Sequence, residues 1–244
     1  MQLAPSLHRI GEDLVNCYLV EEAGEVTIVD AGVPAYYDDL TAELTAMGRS
    51  IEDVRAVVLT HGHSDHIGFA ERVRDEHGVP VSVHELDAAL ARGEVPNPSA
   101  GTGEKKMGSL LRFLLWGARR GALRLKTLSE VATFGSGATL DVPGALEVIH
   151  TPGHTPGNAA LNAPRVNALF AGDTLSTLMV TSGAVGPRVA AFSADPDKAL
   201  ASLDRIESVE ADWLLPGHGA PWTDGVAAAV ATARANGVEH LARP

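Results

Sequence analysis

One segment, Thr-His-Gly-His-Ser-Asp-His at positions 60–66, constrains the chain more than any other part of the sequence. It holds three histidines and an aspartate, and it directly follows a short, mostly apolar run at 54–59. Such a run is typical of a buried strand, so the polar cluster is predicted to lie on the loop that leaves that strand. Imidazole and carboxylate groups are common ligands of transition metals, and their crowding here indicates a metal site.

The same ending recurs twice later in the chain. Segments 57–63 and 147–154 both run from an apolar strand into Thr-X-Gly-His, and segment 214–219 repeats the ending from strand to Gly-His. Three strands therefore each deliver a histidine from a loop that contains glycine. This echo predicts two similar strand–helix halves that face each other and share one site at the strand ends.

Seven side chains are candidate ligands of that site. The spacing of His61 and His63 lets both imidazoles converge on one ion, and Asp65 and His66 can point to a second ion nearby. Taken alone, one later histidine would be better explained as an ordinary loop or core residue. Five of the ten histidines, however, lie in similar loops beside two aspartates. The candidates are His61, His63, Asp65, His66, His154, Asp173 and His218.

The remaining sequence alternates between strand and helix patterns. Residues 15–32 predict a hairpin around a Glu-Ala-Gly turn, and residues 36–48 predict a helix that ends at Gly48. Segment 93–126 interrupts this rhythm with a loop rich in glycine, proline and serine, followed by an amphipathic helix. We therefore predict a single domain over 1–244 with a helical lid inserted at 93–126.

Charge and composition narrow the partners. The chain has 19 basic and 31 acidic residues, a net charge of −12, which disfavours a nucleic-acid partner. No apolar run approaches the length that spans a membrane, so no membrane partner is expected. The start of the sequence lacks a signal-peptide pattern, and Cys17 is the only cysteine. These features favour a cytoplasmic protein acting on a small molecule, and they leave its oligomeric state open.

The ordered motifs His61-X-His63-X-Asp65-His66, HTPGHTPG, AGDTL and PGHG make the chain similar to the metallo-β-lactamase superfamily. The resemblance covers roughly everything except segment 93–126. It implies an α/β fold, a four-layer αββα sandwich with the metals at one edge of the paired sheets. It also implies a ligand set for each of two metals, with Asp173 bridging them. The first set is His61, His63 and His154, and the second is Asp65, His66 and His218.

The chemistry implied by this resemblance is a hydrolysis that uses two divalent metal ions, with zinc as the first choice and iron or manganese as alternatives. A hydroxide bridging the metals would attack an ester-like acyl bond in a thioester, ester or lactone. Asp65 would act as the catalytic residue that orients this nucleophile and carries a proton to the leaving group. No convincing serine or cysteine elbow offers a protein nucleophile instead.

The resemblance places the chain in a branch similar to glyoxalase II or the lactonases, and departures from the patterns of the known branches narrow the choice. Asp173 argues against true β-lactamases, which lack a bridging aspartate. Segment 219–244 is too short for the helical extension of glyoxalase II, and all three tyrosines lie upstream of Asp173, unlike the tyrosine of many acyl-homoserine lactonases. The alternative is an oxidoreductase that resembles the sulfur dioxygenases. These use one iron, held here by His61, His154 and Asp173.

The inserted segment concentrates positive charge. Residues 104–126 hold seven basic residues and one acid, together with leucines, Phe113 and Trp116. One interpretation is a solvated helix face, and another is a lid whose cations attract an anionic acyl substrate. A helix lying on a membrane surface is a third interpretation, which the acidity of the whole chain disfavours.

Overall fold

The structure is a computed structural model that describes residues 1–98 and 105–238. Within these ranges the chain forms thirteen strands and six α-helices, joined by turns and short 3-10 helices. The strands are β1 (Gln2–Ala4), β2 (Leu7–Glu12), β3 (Val15–Glu22), β4 (Glu25–Val29), β5 (Val54–Val58), β6 (Val81–His84), β7 (Ala132–Phe134), β8 (Glu147–His150), β9 (Ala159–Ala163), β10 (Ala168–Gly172), β11 (Ser176–Leu178), β12 (Val185–Arg188) and β13 (Trp213–Pro216). The helices are α1 (Tyr36–Ala46), α2 (Ala70–His77), α3 (Ala88–Ala91), α4 (Met107–Arg119), α5 (Pro196–Ser202) and α6 (Val226–Asn236).

Two sheets form the centre of the fold. The first contains β1 to β7 in sequence order, antiparallel from β1 to β4 and parallel from β4 to β7. The second has the order β13-β10-β9-β8, with β13 parallel to β10 and the other neighbours antiparallel. A separate ribbon pairs β11 with β12. In these paired sheets, several strands end at the same edge of the molecule.

The first sheet is apolar on both faces, because successive side chains of a strand point to opposite sides. In β3, Val15, Cys17 and Leu19 belong to the core that this sheet shares with α1, α2 and α3. Tyr18 and Val20, which alternate with them, belong to the core between the two sheets. The complete burial of Cys17 agrees with its interpretation as a small apolar residue.

The second sheet follows the same rule. Phe170 of β10 points into the core between the sheets, whereas its neighbours Leu169 and Ala171 pack toward α5 and α6. The order across the molecule is therefore helices, sheet, sheet, helices. This architecture confirms the predicted four-layer αββα sandwich.

Local sequence signals located most of the boundaries correctly. The hairpin of β3 and β4 is present, and α1 ends just before Gly48, whose φ of 69° is the left-handed conformation expected there. Asp195 caps α5, since its side chain accepts a hydrogen bond from the Lys198 amide at 3.0 Å. The predicted helix in the inserted segment is α4. Residues 99–104 of the predicted loop before it lie outside the described ranges.

Within residues 1–98 and 105–238, no helix is long and apolar enough to cross a membrane.

Candidate metal centre

The seven predicted ligands converge at one edge of the sandwich. His61, His63, Asp65 and His66 lie on the loop between β5 and α2. The other three each follow a strand of the second sheet, since they come after β8, β10 and β13. Six of the seven are buried, and only Asp65 is partly exposed. The structure thus brings together every side chain that the motifs singled out.

One group of nitrogens comes from His61, His63 and His154. Their potential ligand atoms all lie within 4.8 Å of one another. The Nδ1 of His63 lies 2.9 Å from the Nε2 of His154, and the ring centroids of His61 and His154 are 4.7 Å apart. Three neutral imidazoles at this separation match the preference of zinc and similar ions for nitrogen ligands.

The second group is Asp65, His66 and His218, whose potential ligand atoms also lie within 4.8 Å of one another. The Asp65 Oδ2 atom is 3.6 Å from the Nε2 of His218. Asp173 lies between the two groups, and its Oδ2 atom is 3.3 Å from the Nε2 atoms of both His154 and His218. Its other oxygen, Oδ1, is 3.7 Å from the Nε2 of His66. Asp173 therefore lies within reach of the ligand atoms of both groups.

Hydrogen bonds from Nδ1 orient both histidines of the second group. His66 donates from Nδ1 to the Oδ2 of Asp30 at 2.8 Å, and His218 donates from Nδ1 to the backbone carbonyl of Leu14 at 2.5 Å. A carboxylate and a carbonyl can only accept, so the proton must be on Nδ1 in both rings. Each Nε2 then keeps its lone pair for a metal ion.

Hydroxyl groups do the same in the first group. The Oγ of Ser193 donates to the carbonyl of Ala190 and lies 3.2 Å from the Nδ1 of His154, from which it accepts. The Oγ1 of Thr60 donates to a carboxylate and lies 3.1 Å from the Nδ1 of His61. His63 alone turns Nδ1 toward a neighbouring ring of the cluster. The partners of the ligand rings thus fix which nitrogen faces the centre.

Several polar atoms of the cluster are buried without a hydrogen-bond partner. Among the described residues they include the Nε2 atoms of His61 and His66 and the Oδ1 of Asp173. A buried polar atom without a partner costs roughly 1–3 kcal/mol, and three in one place are rare in a folded protein. Cations bound between them would satisfy all three, so the residues present fit a metal centre.

The pKa values of the histidines differ between the two groups of ligands. Burial lowers the pKa values of His61, His63 and His154, with the neighbouring histidines adding to the effect at His61. Burial opposes protonation of His66 as well, but the carboxylate of Asp30 outweighs it and raises that pKa to about 10.

Contacts between carboxylate and imidazole groups also set the pKa values of His218 and Asp173. At His218 the carboxylate of Asp173 outweighs the effect of burial and raises the pKa to about 8. Burial would raise the pKa of Asp173 itself, but the rings of His218 and His154 hold it well below its usual range. Without metal, protons are therefore held mainly by the carboxylate-rich half of the site.

Asp30 organises the loop that carries four of the candidates. Besides the bond to His66, its carboxylate accepts from the amide and the hydroxyl of Thr60, both at 2.8 Å. Its backbone φ of 59° is rare for a residue with a side chain. The sequence alone allows either a partner for a histidine or a simple turn residue at Asp30, and the bond to His66 shows the first.

Asp87 braces the two histidine loops of the first group, a role that the sequence did not reveal. Its carboxylate is completely buried and accepts from the amide of Gly62 at 2.9 Å and from the hydroxyl of Thr155 at 2.6 Å. It also accepts from the amide of Gly157 at 2.6 Å. A side chain at Gly157 would meet Asp87 at 2.7 Å, so this close approach requires glycine. Asp87 thus couples the position of His63 to that of His154.

A contact between the two ends of the domain places His218. The side-chain amide of Asn16 donates to the carbonyls of Pro216 and Gly219 at 2.9 and 2.7 Å, and the amide of Gly219 donates to the carbonyl of Asp13. Together with the bond from His218 to Leu14, these contacts join the turn between β2 and β3 to the loop after β13. The hairpin of β2 and β3 therefore holds the loop that carries His218 in place.

The cluster lies at the floor of a cavity of about 300 Å³, and five of its seven side chains line that cavity: His63, Asp65, His154, Asp173 and His218. Its roof is α4 and the turn after it, which contribute Phe113, Leu114, Trp116 and Leu123 to the lining, and Phe192 forms part of the wall. The ring of Phe113 packs edge-on toward His218 with centroids 6.2 Å apart. Residues of the inserted segment thus line the cavity, and the surface that they present to the floor is apolar. That the segment acts as a lid stays a prediction.

The cations of the inserted segment do not line this cavity in the described part of the chain. Arg120 pairs with Glu12 at 2.7 Å, whereas Arg124 and Lys126 line a different surface hollow. The expectation of an anionic acyl substrate therefore gains no support from these contacts and stays a prediction.

The remaining described histidines lie outside the cluster. His84 and His150 stack on each other with centroids 4.3 Å apart, His8 pairs with Glu43, and His77 contacts Tyr37.

Comparison with known proteins identifies the family. The family model described as the metallo-beta-lactamase superfamily matches residues 10–218, and the chain belongs to this superfamily. The "Probable metallo-hydrolase YflN" of Bacillus subtilis strain 168 is 27% identical over 233 residues, which cover 91% of this chain and 87% of that protein. The likeness supports a metal-dependent hydrolase at the level of the superfamily.

Two solved structures extend this likeness. The metallo-beta-lactamase family protein TTHA1429 from Thermus thermophilus is 29% identical, with a TM-score of 0.66 over 94% of this chain and 78% of that one. TTHA1623, solved in a di-iron-bound form, is also 29% identical, with a TM-score of 0.60 over 88% of this chain and 93% of that one. A related protein of this fold can thus hold two iron ions.

Proposed function

We propose that this protein is a dinuclear metal-dependent hydrolase that cleaves an ester-like acyl bond, in a thioester, ester or lactone, of a substrate with an apolar acyl group. One observation carries the proposal: the seven candidate ligands lie together, and five of them line the floor of a cavity whose roof is apolar. Such a cavity matches a substrate that offers a polar carbonyl to the floor and a hydrocarbon chain to the roof.

In this proposal two divalent ions, zinc as the first choice, are held by the two groups of ligands with Asp173 between them. When bound, the ions supply a hydroxide nucleophile near neutral pH and polarise the carbonyl of the substrate. The protein's own contribution is to fix the ligand rings, through Asp30, Ser193 and the carbonyl of Leu14. The roof excludes water from the reacting bond.

Asp65 has a second task in this proposal. It lines the cavity and its side chain is 24% exposed, whereas the other candidate ligands are buried. A carboxylate that reaches both the metal centre and the open cavity can orient the nucleophile and carry a proton to the leaving group.

A protein nucleophile is the main alternative within hydrolase chemistry. Ser64 offers the one hydroxyl that lines the cavity in the described ranges. A nucleophilic serine needs a histidine as its base. The histidines of the cluster instead donate hydrogen bonds from Nδ1 to groups other than Ser64, or face one another. We therefore expect Ser64→Ala to keep most of its activity.

A second candidate is the mononuclear iron oxygenase chemistry of the sulfur dioxygenases. The iron in TTHA1623 favours considering it, and His61, His154 and Asp173 would hold the single ion. The two proposals differ in the number and kind of ions, so metal analysis of protein purified without added metal separates them.

The test combines metal analysis with a substrate series. Protein stripped by a chelator is reloaded with zinc, iron or manganese and assayed on thioesters, esters and lactones of matched acyl length. We expect two ions per chain and hydrolysis only after reloading, and Asp65→Asn should keep its fold but lose most turnover. Full activity with a single ion, or near-normal turnover of Asp65→Asn at full metal occupancy, would overturn the dinuclear mechanism.

A further inference from the structure

The side of α4 that faces away from the protein carries large apolar side chains. Between 48% and 86% of the surface of each is exposed in the described structure. We define this outer face by Met107, Leu111, Leu114 and Leu115 of α4 and Leu123 of the turn after it. Single exposed leucines are ordinary, but a contiguous set on one helix marks an interaction surface.

The outer face is not the face by which α4 is attached. Phe113 and Trp116 lie on the opposite side of the helix and pack against the apolar cores. The indole of Trp116 donates to the carboxylate of Glu12 at 2.8 Å, and its ring meets that of Tyr36 with centroids 6.1 Å apart. Since these contacts hold the helix, the leucines of the outer face are free to serve another purpose.

Positive charge is segregated into the same segment. Residues 105–126 contain seven of the 19 basic residues and none of the 31 acidic ones, so the rest of the chain has a net charge of −19. Arg112 and Arg119 lie one turn before and one turn after Leu115, and both are exposed. The net acidity that disfavoured a membrane partner at the sequence level is therefore a property of the remainder of the molecule.

We propose that the outer face docks on an anionic lipid surface. Leucine side chains that enter the boundary between headgroups and acyl chains, with arginines beside them, are the pattern of helices that lie in a membrane interface. Anionic headgroups attract such cations within about a Debye length, roughly 8 Å in physiological salt. A symmetric pairing of two copies through this face would instead bring Arg112 and Arg119 of one copy toward those of the other, so lipid is the occupant that the charges favour.

Docking in this orientation places the mouth of the cavity at the lipid. Leu114 and Leu123 belong both to the outer face and to the lining of the cavity above the metal centre. An acyl chain could therefore pass from the lipid into the cavity along a continuous apolar surface. The docking itself does not depend on the reaction catalysed, and its test needs no substrate.

The experiment is co-sedimentation of the metal-loaded, full-length protein with two kinds of vesicle. One kind is pure phosphatidylcholine, and the other is phosphatidylcholine mixed with phosphatidylglycerol. We expect binding to the anionic vesicles, little binding to the neutral ones, and release as NaCl rises from about 0.05 M to about 0.5 M. Absence of binding to both kinds at low salt overturns the proposal.

Two double variants test the surface without touching the cavity. Leu111→Gln with Leu115→Gln removes apolar contacts, and Arg112→Gln with Arg119→Gln removes charge; each should weaken binding to anionic vesicles about tenfold or more. The matched controls are Leu86→Gln, which changes an exposed leucine elsewhere, and Arg55→Gln with Arg165→Gln, which removes two exposed arginines. The controls should bind like the unmodified protein.

The size of the protein in solution supplies the competing outcome. Analytical ultracentrifugation compares the unmodified protein with the Leu111→Gln, Leu115→Gln variant. We expect both to have the same oligomeric state. A dimer lost in that variant, together with no vesicle binding, would show that the outer face joins two copies of the chain and would overturn the lipid proposal. Equal loss of vesicle binding in the control variants would also overturn it.

Discussion

The floor and the roof of the cavity are built in opposite ways. The floor consists of side chains at the ends of strands, six of seven of them buried, and their partners are buried as well. The roof is a helix without a single buried residue. The floor is therefore positioned by the same packing that stabilises the fold, whereas the roof can change without disturbing it. In the proposed function, the floor would therefore supply the chemistry and the roof would select the substrate.

The contacts that hold each part reinforce the contrast. The floor is fixed from several directions, by Asp30, Asp87 and the carbonyl of Leu14. The roof depends on a few contacts, such as those of Trp116 and Arg120 with Glu12. Segments with few buried apolar contacts open locally at low free-energy cost. We expect amide exchange in α4 to be faster than in β5 and β10.

The strongest test of the floor is Asp173→Asn. This change keeps the shape of the side chain but removes the negative charge that lies between the two groups of ligands. Loss of a charge that holds both ions should lower kcat by about a thousandfold or more. Stopped-flow or steady-state assays with parallel metal analysis would check this. Retention of two ions and normal turnover would show that Asp173 does not bridge them.

The next effect in size concerns a partner of the ligands. Asp30→Asn should lower metal affinity about 10- to 100-fold, as usual when the carboxylate behind a ligating histidine is lost. Asparagine tolerates the left-handed conformation that this position requires, so the backbone should remain in place. Chelator competition would measure the affinity. Asp195→Asn, at the cap of α5, is the control, and an equal loss there would contradict the assignment.

The pH dependence of the metal-free protein should distinguish the floor from the roof. The pKa values of His66 and His218 are raised to about 10 and about 8. A raised pKa stabilises the folded state most below the unfolded value, near pH 6.5, and the stabilisation is lost as pH rises through the folded pKa.

The melting temperature of the metal-free protein should therefore fall between pH 6.5 and about pH 10. The metal-loaded protein should show no such fall, because metal replaces these protons. Roof variants should follow the profile of the unmodified protein. A flat profile without metal would show that the two histidines are not held protonated by their carboxylate neighbours.

The roof should control selectivity by a smaller amount. Phe113→Ala removes a ring that lines the cavity above His218. We expect kcat/KM for a medium-chain acyl substrate to fall about tenfold relative to an acetyl substrate, with metal content unchanged. Met107→Ala, which removes an exposed side chain of the same helix outside the cavity, should leave the ratio intact. An equal fall in kcat/KM for both acyl lengths would show that the roof does not control acyl-chain selectivity.

The smallest effect is expected for the arginines of the roof. Arg112→Gln with Arg119→Gln should change kcat/KM by less than about twofold, since exposed charges outside the cavity contribute little. Matched anionic and neutral acyl substrates would be compared in free solution. A loss confined to the anionic substrate would restore the sequence-based expectation that these cations select an anionic group.

The sequence identified the side chains that converge at the floor because its signals are local. Each candidate ligand follows an apolar strand and has glycine close by, and that pattern is readable without any knowledge of the fold. The hairpin of β3 and β4 was predicted for the same reason. Short strands such as β1, β7 and β11, of three residues each, gave no comparable pattern and were missed.

What the sequence did not reveal depends on contacts between distant segments. Asp87 looks like an ordinary polar residue of a helical segment, and its role exists only because two histidine loops approach it. The partner of His218 is a backbone carbonyl, which has no signature in the sequence. The direction in which the roof points its arginines was equally hidden, because periodicity defines the faces of a helix but not their neighbours.

The clamp between the turn of residues 13–16 and the loop of residues 216–219 sets the order of events when the protein folds. His218 is held by Leu14, a contact between residues 204 positions apart. Contacts between such distant residues form late, because the entropy of closing the intervening chain must be overcome first. The complete set of ligands therefore exists only after both sheets have assembled. Metal bound to that complete set should mainly slow unfolding and leave the rate of folding nearly unchanged.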